Sequence, residues 1–558
     1  MRISRLIIFI LLIFPLALCG QHDVPDLPEY YVDVEVKSIG EVRSLPITYS
    51  IDKISKNTAN DLFQVRLWIP KRSFADFITL DIPYSIFLED AKSVDITNSY
   101  LELITNWNRY PTYEAYLQTL SYFASNHTDI CKIDTIMRAT PQGRLIPVIH
   151  INNGDDSYKP SVLLSSTIHG DEICGYYLLL RLADLILSQR DEPKIQQIID
   201  HVDLWICPLE NPDGTYYSGN HIIGQSPIST RGNSNSVDLN RDFPTILGVS
   251  KNGYEPETEA FMRFFEQQNF VLSAVLHGGA ELVNYPWDSY TTSQLTHPDK
   301  NWMHAVSRRF VESCRSVNSN YMRGFPSGVT SGGDWYVVYG SQQDYVTYYE
   351  ESRDFTIEIS NSKIFPANQL NSIWNTTRTA LLDFILEAHE GVRGCVFDAS
   401  TQQSLSATLF VENHDQAVQK SFVSTNDAGQ YCRLITPGTY QITCTAEGFH
   451  PVTKSATVVA GEPTELDFDL SPLTTSQYER KICQIYPTLA DQTITISMDD
   501  PMNLPATCEI YTINGNLQHA CLLTHCKTEI NISGFAQGAY LIRIQKNNLS
   551  ELVKFVKL

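Results

Sequence analysis

The sequence has 558 residues, too many for one hydrophobic core, and at roughly 100–200 residues per domain it predicts roughly three to five folded units. An apolar fraction of 43% and a charged fraction of 19% lie near globular averages and exclude a collagenous, coiled-coil or largely disordered chain. The formal net charge of -22 argues against nucleic acid or an anionic membrane surface as a partner, and it mildly favours basic substrates.

Residues 1–20 have the layout of a secretory signal peptide. Arg2 and Arg5 precede an apolar run from Leu6 to Leu18. This run of about 13 residues is shorter than the roughly 20 needed to span a bilayer, and no later segment reaches that length without charges. We therefore expect export and no transmembrane helix. Cys19 leaves lipidation open as an alternative to simple cleavage near residues 20–21.

Eleven cysteines follow the signal segment, and seven of them lie between Cys395 and Cys526. In an oxidising compartment this density predicts disulfides in the C-terminal part of the chain. The spacings contain no CxxC, which argues against a cysteine zinc site. The odd number leaves at least one thiol free or shared with another chain.

Residues 24–105 predict a small N-terminal accessory domain. The segments YYVDVEV, FQVRLWI and DIPYSIFL are typical of short strands, and the polar stretch DKISKNTANDL lies between them. Residues 106–390 differ, because a helix is predicted at 112–126 and apolar strands such as SVLLSST and FVLSAVL then alternate with helices. That alternation predicts a largely parallel or mixed sheet covered by helices.

Helical periodicity disappears after residue 390. Short strands separated by turns such as NDAG and PGTY predict a β-sandwich over residues 391–472. The polar bridge PLTTSQYERK then leads to a second all-β domain over residues 480–558.

Candidate metal ligands occur at the ends of predicted strands. His169 and Glu172 stand between SVLLSST and the following helix, where residues three apart on a first helical turn would share a face. His277 ends the buried strand FVLSAVL and precedes two glycines. Two imidazoles and one carboxylate form the ligand set of an open catalytic zinc site, and open α/β sheets build sites where their strands end. Each of these residues taken alone has a plain structural alternative, a surface pair or a core histidine.

Two further segments carry polar side chains suited to catalysis. The segment STRGNSNSVDLNRDFP holds Asn240 and Arg241, an amide and a planar guanidinium that can bind a carboxylate together. In FTIEIS, Glu358 lies on the strand face opposite Phe355 and Ile357. Burying a carboxylate costs free energy unless it has a partner or a catalytic function, so Glu358 is a candidate general base. The alternative is a strand residue held in a salt bridge.

Together these segments resemble the zinc metallocarboxypeptidase family, in the regulatory branch that includes carboxypeptidases D, E, M and N. The motifs HGDE, NPDG, TRGNSNSVDLNRDFP, LHGGAELVNYPWD, GVTSGGDWYVVYGSQQDY and TIEISNSKIFP follow one another in the family's order between Tyr110 and Pro366. The segment after residue 391 resembles the transthyretin-like domain of that branch. The resemblance implies an α/β fold with a mixed central sheet and helices on both faces, followed by two small all-β sandwich domains.

The resemblance also implies a site and one Zn²⁺ per catalytic domain. By position, His169, Glu172 and His277 would bind the zinc, Glu358 would be the general base for the zinc-activated water, and Arg231 would stabilise the oxyanion. The expected reaction is hydrolysis of the C-terminal peptide bond of peptide or protein substrates. No catalytic position is substituted.

The resemblance assigns the remaining positions to substrate binding. Asn240 and Arg241 would hold the terminal carboxylate, Tyr336 would close over the bound residue, and Arg144 in PQGR would contact substrate away from the scissile bond. Two departures concern the shape of the pocket: the branch's GGMQDW reads GSQQDY, and Asp242 replaces a common Asn.

Substrate preference is expected to depend on Asp288, eleven residues after His277, and on Gln343. The positions these match line the side-chain pocket in the regulatory branch, where an acidic residue pairs with lysine or arginine. A structural turn role for Asp288 in YPWD is the alternative. The prediction is therefore a preference for C-terminal Lys or Arg.

The last 80 or so residues resemble the C-terminal sorting domain of cargo exported by the type IX secretion system of Bacteroidetes bacteria, through CEIYTINGN, GAYLIRIQ and the ending VKFVKL. The resemblance implies the secretion machinery as a partner and a secreted or cell-surface location. Rival functions remain: a carboxypeptidase for apolar C-termini, a cell-wall peptide amidase on the same fold, and a non-catalytic adhesin.

Overall fold

The computed structural model describes residues 26–38, 40–41, 49–56, 62–87, 94–155, 158–221, 229–248, 253–325, 327–473, 483–498, 501–546 and 549–558. The predicted signal peptide, with Cys19, and most of the polar bridge lie outside the described residues. Among the residues described, every helix is too short or too polar to cross a membrane. The chain divides into two compact units, the second of which consists of residues 398–402, 446–450 and 470–558.

The N-terminal domain is an antiparallel sheet of four strands in the order β2-β3-β1-β4 with one helix packed on it. Tyr30 stacks on Phe74 of the helix at 3.9 Å between ring centroids, and Val32, Val65 and Leu67 are buried beneath them. The elements are β1 (Glu29–Val36), β2 (Ser50–Lys56), β3 (Phe63–Pro70), α1 (Lys71–Ile78) and β4 (Tyr84–Phe87).

Two of these elements were not anticipated from the pattern. The polar stretch DKISKNTANDL lacks a strand pattern, but its first half belongs to β2, because an edge strand is held by its ladder with β3 and can keep polar side chains in water. The helix α1 buries Phe74 and Phe77, spaced three apart on one face, against the sheet.

The central domain is built on a mixed sheet of eight strands in the order β13-β12-β14-β11-β9-β10-β8-β7. The strands β10, β9, β11 and β14 run parallel to their neighbours in that series, and the outer pairs with β8, β7 and β12 are antiparallel. The strands are β7 (Cys131–Met137), β8 (Ile146–Ile151), β9 (Ser161–Ser166), β10 (Asp203–Cys207), β11 (Leu272–His277), β12 (Ala280–Tyr285), β13 (Val329–Ser331) and β14 (Arg353–Ser360), beside a short pair, β5 (Ile96–Thr97) and β6 (Tyr110–Pro111).

Helices cover both faces of this sheet, which confirms the predicted fold class. On β9, Val162 and Leu164 belong to one buried cluster and Leu163 to another, as expected when successive side chains alternate between two covered faces. The helices are α2 (Tyr100–Asn106), α3 (Tyr113–Asn126), α4 (Cys174–Ser188), α5 (Pro193–His201), α6 (Pro212–Thr215), α7 (Pro256–Gln268), α8 (Lys300–Val317), α9 (Gly332–Trp335), α10 (Gln342–Tyr349) and α11 (Leu370–Leu386).

The two all-β domains follow. The first, called the sandwich domain below, has sheets ordered β17-β16-β19-β20 and β18-β15-β21, with β22 also beside β15. Its strands are β15 (Gly391–Asp398), β16 (Thr408–Val411), β17 (Val423–Ser424), β18 (Gln430–Arg433), β19 (Gly438–Thr445), β20 (Val452–Val458), β21 (Pro463–Glu465) and β22 (Phe468–Leu470).

The second all-β domain has its own core and two sheets, ordered β23-β25-β28 and β24-β30-β29-β26-β27. Its strands are β23 (Cys483–Tyr486), β24 (Leu489–Ala490), β25 (Thr493–Met498), β26 (Ala506–Thr512), β27 (Leu517–Leu523), β28 (Lys527–Asn531), β29 (Gly538–Lys546) and β30 (Leu549–Lys557). The predicted domain boundaries at 105, 390 and 472–480 stay predictions.

The predicted disulfides are not present in the described residues. None of the eleven cysteines described there forms a disulfide, and eight of them are buried. Cys432, Cys444, Cys483 and Cys508 point into cores. There a cysteine packs as a small apolar side chain.

Candidate functional site

Three neighbouring parallel strands deliver polar side chains to one edge of the central sheet. His169 and Glu172 lie in the turn that follows β9, His277 is the last residue of β11, and Glu358 stands on β14. The β11–β14 register places His277 directly beside Glu358. His169 and Glu172 are not on a helical turn as expected: Glu172 N–H donates to the His169 carbonyl at 3.1 Å in a tight turn, and α4 begins only at Cys174.

The three predicted metal ligands converge on one point. Their ligand atoms all lie within 4.8 Å of one another, and the three side chains are buried. His169 Nδ1 is 3.0 Å from one oxygen of Glu172, and His277 Nδ1 is 2.9 Å from the other. The chemistry of this donor set, two imidazoles and a carboxylate, is that of an open catalytic zinc site.

The protonation states of these residues also fit a metal ion. Burial lowers the pKa of His277, so its imidazole is neutral at neutral pH. Burial would raise the pKa of Glu172, but hydrogen bonding to the neighbouring His169 and the charge of Lys363 hold it well below its ordinary value. A neutral imidazole and an ionised carboxylate are the forms that bind zinc. His277 Nε2 and Glu358 Oε2 are buried and have no hydrogen-bond partner among the described residues.

Asp238 contacts two residues of the site, His169 and Arg231, and it is not among the predicted site residues. One of its oxygens accepts from His169 Nε2 at 3.1 Å, and the other from Arg231 Nε at 3.0 Å. A carboxylate on the far nitrogen of a ligating histidine selects its tautomer and orients its ring. The signal was available, because Asp238 stands two residues before Asn240 in SVDLNRD.

Substrate-binding candidates line the same cavity. Arg231, Asn240, Arg241, Tyr336 and Asp288 all border the space in front of His169, Glu172, His277 and Glu358. Asn240 is fixed by accepting from the backbone N–H of Gln342, the first residue of α10, at 2.9 Å. Burial raises the pKa of Tyr336 to about 12, which keeps its hydroxyl protonated and able to donate.

Asp288 forms an acidic floor at one end of this cavity. Its backbone N–H donates to Asp344 Oδ1 at 2.7 Å, and Gln343 Nε2 donates to its Oδ1 at 2.9 Å. Burial, with the nearby Asp344 carboxylate, raises the pKa of Asp288. Gly332 is required beside it, because a Cβ at that position would lie 1.7 Å from Asp288 Oδ1. A buried carboxylate with a raised pKa gains most from a cationic partner.

Comparison with known proteins matches three stretches of the chain to families. Residues 116–380 match the zinc carboxypeptidases, residues 391–471 the carboxypeptidase regulatory-like domain, and residues 484–558 the secretion system C-terminal sorting domain. Residues 116–380 are a zinc carboxypeptidase domain. This agrees with the two imidazoles and one carboxylate that converge in the cavity.

The chain is homologous to carboxypeptidases D and N. It is 32% identical to carboxypeptidase D of Mus musculus over 381 residues, 65% of this chain and 27% of that protein. It is 29% identical to the carboxypeptidase N catalytic chain of Mus musculus over 419 residues, 68% of this chain and 88% of that protein. The alignment thus spans about a quarter of the length of carboxypeptidase D.

Two solved structures are similar at TM-scores of 0.48. Thrombin activatable fibrinolysis inhibitor is 14% identical, with 64% of this chain and 98% of that chain covered. Carboxypeptidase A from Helicoverpa armigera is 16% identical, with 64% of this chain and 97% of that chain covered.

Two predicted site residues, Gln343 and Arg144, do not line the cavity of the carboxypeptidase domain, although Gln343 donates to Asp288. Arg144 is engaged elsewhere. Its guanidinium donates to Asp213 Oδ1 at 2.9 Å, to Asn220 Oδ1 at 2.9 Å and to the Tyr216 carbonyl at 2.9 Å. These bonds hold the Arg144 guanidinium against residues 213–220. A substrate contact by Arg144 stays a prediction.

Residues of the N-terminal domain reach the carboxypeptidase cavity, which the sequence reasoning missed. Asp52 of β2 lines the cavity, 2.7 Å from Lys363 Nζ and 3.7 Å from Arg231 NH1. On β1, Tyr31 donates its hydroxyl to Asp171 at 2.5 Å, and Glu29 accepts from the Arg231 backbone N–H at 2.8 Å. No spacing rule connects residues 140 or more positions apart, so these contacts have no signal in the sequence pattern.

Replacing His277 by Ala should lower metal occupancy, because two ligands from one turn remain where three side chains now converge. We expect zinc affinity to fall by about tenfold or more, measured as bound zinc per chain after dialysis against a metal buffer. His150→Ala is the matched control, since His150 lies on β8 outside the cavity and pairs with Asp203. Full zinc content in His277→Ala would remove His277 from the site.

Proposed function

We propose that this chain is an exported zinc metallocarboxypeptidase that removes a C-terminal lysine or arginine from peptides and proteins. The observation that carries the proposal is the single cavity in which the His169, Glu172 and His277 cluster, the Glu358 carboxylate and the acidic floor at Asp288 face one another. The sorting domain matched at residues 484–558 supports delivery to the outside of the cell by a secretion system, and the predicted signal peptide agrees with that route.

The residues of the cavity have separate roles in peptide hydrolysis. Zinc, held by His169, Glu172 and His277, would supply a Lewis acid that polarises the scissile carbonyl and acidifies water. Glu358 takes the proton from the attacking water and passes it to the leaving amine. Its raised pKa, caused by burial and by the Glu172 carboxylate, suits a group that must accept and then give up a proton.

Arg231 serves as the oxyanion donor in this scheme. Its Nε is engaged by Asp238 at 3.0 Å, and its NH1 end faces the cavity beside Glu172 at 3.3 Å. The Asp238 bond fixes the planar guanidinium before substrate binds. Preorganised donors of this kind stabilise developing negative charge without reorganising during the reaction.

Exopeptidase action requires recognition of a free terminal carboxylate. Asn240 and Arg241 stand together on the turn Leu239–Arg241, with Arg241 donating to the Asn240 carbonyl at 2.8 Å. A guanidinium with a neighbouring amide can bind both oxygens of a carboxylate. Tyr336, with its hydroxyl protonated, covers the same part of the cavity.

Preference for lysine or arginine follows from Asp288 and Asp344. The two carboxylates are buried together, and each has its pKa raised chiefly by burial. Asp344 is occupied by two backbone N–H groups, from Asp288 and Ser289, which leaves Asp288 as the carboxylate available to a substrate cation. A pocket for apolar side chains would have no use for such a charge.

Glu358→Gln should leave zinc bound and substrate affinity nearly unchanged, because the substitution keeps the shape of the side chain and removes the base. Turnover should fall by about a hundredfold or more, the contribution expected of general-base catalysis. The measurement is kcat on a peptide ending in arginine, with zinc content determined in the same preparation. Activity within tenfold of wild type would show that another group is the base.

Hippuryl substrates ending in Arg, Lys or Phe test the substrate preference and separate the rival functions. The wild-type protein should release Arg and Lys faster than Phe. Asp288→Ala should reduce kcat/KM for Arg and Lys by about a hundredfold, since a desolvated ion pair is lost, and should barely change the low rate on Phe. Equal losses on all three substrates would make Asp288 a structural turn residue, and no hydrolysis at all would favour an adhesin.

Asp52→Asn should raise kcat/KM, because the Asp52 carboxylate lies beside the arginine that would meet the developing oxyanion. Removing one negative charge at this distance should increase kcat/KM by about three- to tenfold on a substrate ending in arginine. Lys53→Gln, an exposed neighbour on β2, should change nothing. A decrease with Asp52→Asn would mean that the N-terminal domain supports the active geometry through this residue.

A further inference from the structure

A turn of the sandwich domain touches the wall of the substrate pocket. The indole Nε1 of Trp287, the residue before Asp288, donates to Gln419 Oε1 at 3.0 Å. Trp287 is 1% exposed and Gln419 3% exposed. The hydrogen bond therefore lies in the interior, where an indole N–H left without an acceptor is costly.

The Gln419 amide is oriented by its own turn. Its Nε2 donates to Gln416 Oε1 at 2.6 Å, which leaves Oε1 as the atom that faces Trp287. The segment Ala417–Gln419 is a single 3-10 turn that ends at Lys420 in the left-handed region, with φ of 47°. The Gln416 backbone N–H donates to Ser421 Oγ at 2.8 Å and closes the loop.

Buried ion pairs fasten this turn to the carboxypeptidase domain. Arg353, the first residue of β14, donates to the Ser421 carbonyl at 2.7 Å and to Asp299 Oδ2 at 2.8 Å. From the sandwich side, Arg433 donates to Asp299 at 2.9 Å and to Asp415 at 2.5 Å. Asp299, Asp415 and His414 have metal-ligand chemistry, but the two guanidinium groups already neutralise the carboxylates. The turn is thus fixed at both ends.

A second contact from the same turn meets the helix α10. Lys420 Nζ lies 5.4 Å from the Tyr348 ring centroid and 5.5 Å from that of Tyr349, within the range of a cation–π interaction. Both tyrosines are on α10, the helix that carries Gln343 and Asp344. The turn therefore holds both segments that form the acidic floor.

Displacement of Trp287 would be transmitted to Asp288 because the surroundings are tight. The Trp287 carbonyl accepts from the Gly333 N–H at 2.8 Å, and the Asp288 carbonyl accepts from Val338 N–H at 2.9 Å. Asp288 packs so closely on Gly332 that no Cβ fits there. Interiors at this packing density transmit small shifts rather than absorbing them.

We propose that Gln419 of the sandwich domain is a positioning residue for the lysine and arginine pocket of the carboxypeptidase domain. Gln419 acts through Trp287 and does not touch substrate. The inference rests on the proposed basic specificity and extends it to a residue outside the catalytic domain. It gives the sandwich domain a part in substrate selection that acts through Trp287.

The test is Gln419→Met, which keeps length and removes the acceptor. KM for a peptide ending in arginine should rise about tenfold, because a displaced Asp288 would meet the substrate cation less well. The value of kcat should stay within about twofold, and kcat/KM for a peptide ending in phenylalanine should not change. Trp287→Phe should give the same loss, and the double variant should lose no more than either single one.

Two controls separate positioning from general destabilisation. Leu409→Ala removes a fully buried side chain of the sandwich core and should lower Tm at least as much as Gln419→Met without changing the Arg-to-Phe ratio of kcat/KM. Val418→Ala, in the same turn but 69% exposed, should change neither Tm nor the Arg-to-Phe ratio of kcat/KM.

The results distinguish the positioning role of Gln419 from the proposed specificity for lysine and arginine. An unchanged Arg-to-Phe ratio in Gln419→Met, with a Tm loss like that of Leu409→Ala, would overturn the positioning role and leave the proposed specificity intact. A wild-type protein that prefers phenylalanine would instead overturn the proposed specificity, and the positioning role with it. Additive losses in the double variant would show that Gln419 acts by a route other than Trp287.

Discussion

The Glu172 carboxylate is the group on which the site converges. One of its oxygens lies 3.0 Å from His169 Nδ1 and 3.3 Å from Arg231 NH1, and the other accepts from the Gly278 N–H at 3.1 Å. A carboxylate taken out of water costs several kcal/mol unless hydrogen bonds and opposite charges replace its hydration. The turn after β9, the segment that holds Arg231 and the residue after β11 each contribute one of these replacements, so the arrangement of this end of the sheet and the ionisation of Glu172 depend on each other.

That constraint explains why the catalytic candidates could be found from sequence. Groups that must meet at one buried carboxylate have to stand at strand ends, and HGDE, LHGG and FTIEIS each place a polar residue at the boundary of an apolar run. Alternating apolar segments predicted the mixed sheet, and burial on both faces made that pattern strong. His169, His277 and Glu358 were therefore visible as exceptions within otherwise apolar segments.

The parts that escaped prediction lack such a local pattern. Edge strand β2 reads as a polar connection, and its Asp52 contacts residues about 180 and 310 positions away. Arg144 is a different case, because a motif match suggests a substrate contact and the structure engages its guanidinium with Asp213. A metal requires donors at fixed positions, whereas a long flexible side chain can choose among partners, so a motif position says less about such a contact than about a metal ligand.

Burial of charge also bears on whether the sandwich domain is separable from the carboxypeptidase domain. Arg433 is fully buried and has both of its carboxylate partners, Asp299 and Asp415, in a network shared by the two domains. Removing one partner of a buried ion pair costs about 3–5 kcal/mol because a charge is left without compensation. Such a cost is a large fraction of the stability of an ordinary domain, about 5–15 kcal/mol. The sequence predicts a domain boundary near residue 390, but the buried ion pairs of Arg433 join residues on both sides of that boundary. The carboxypeptidase domain and the sandwich domain therefore stabilise one another as a single unit.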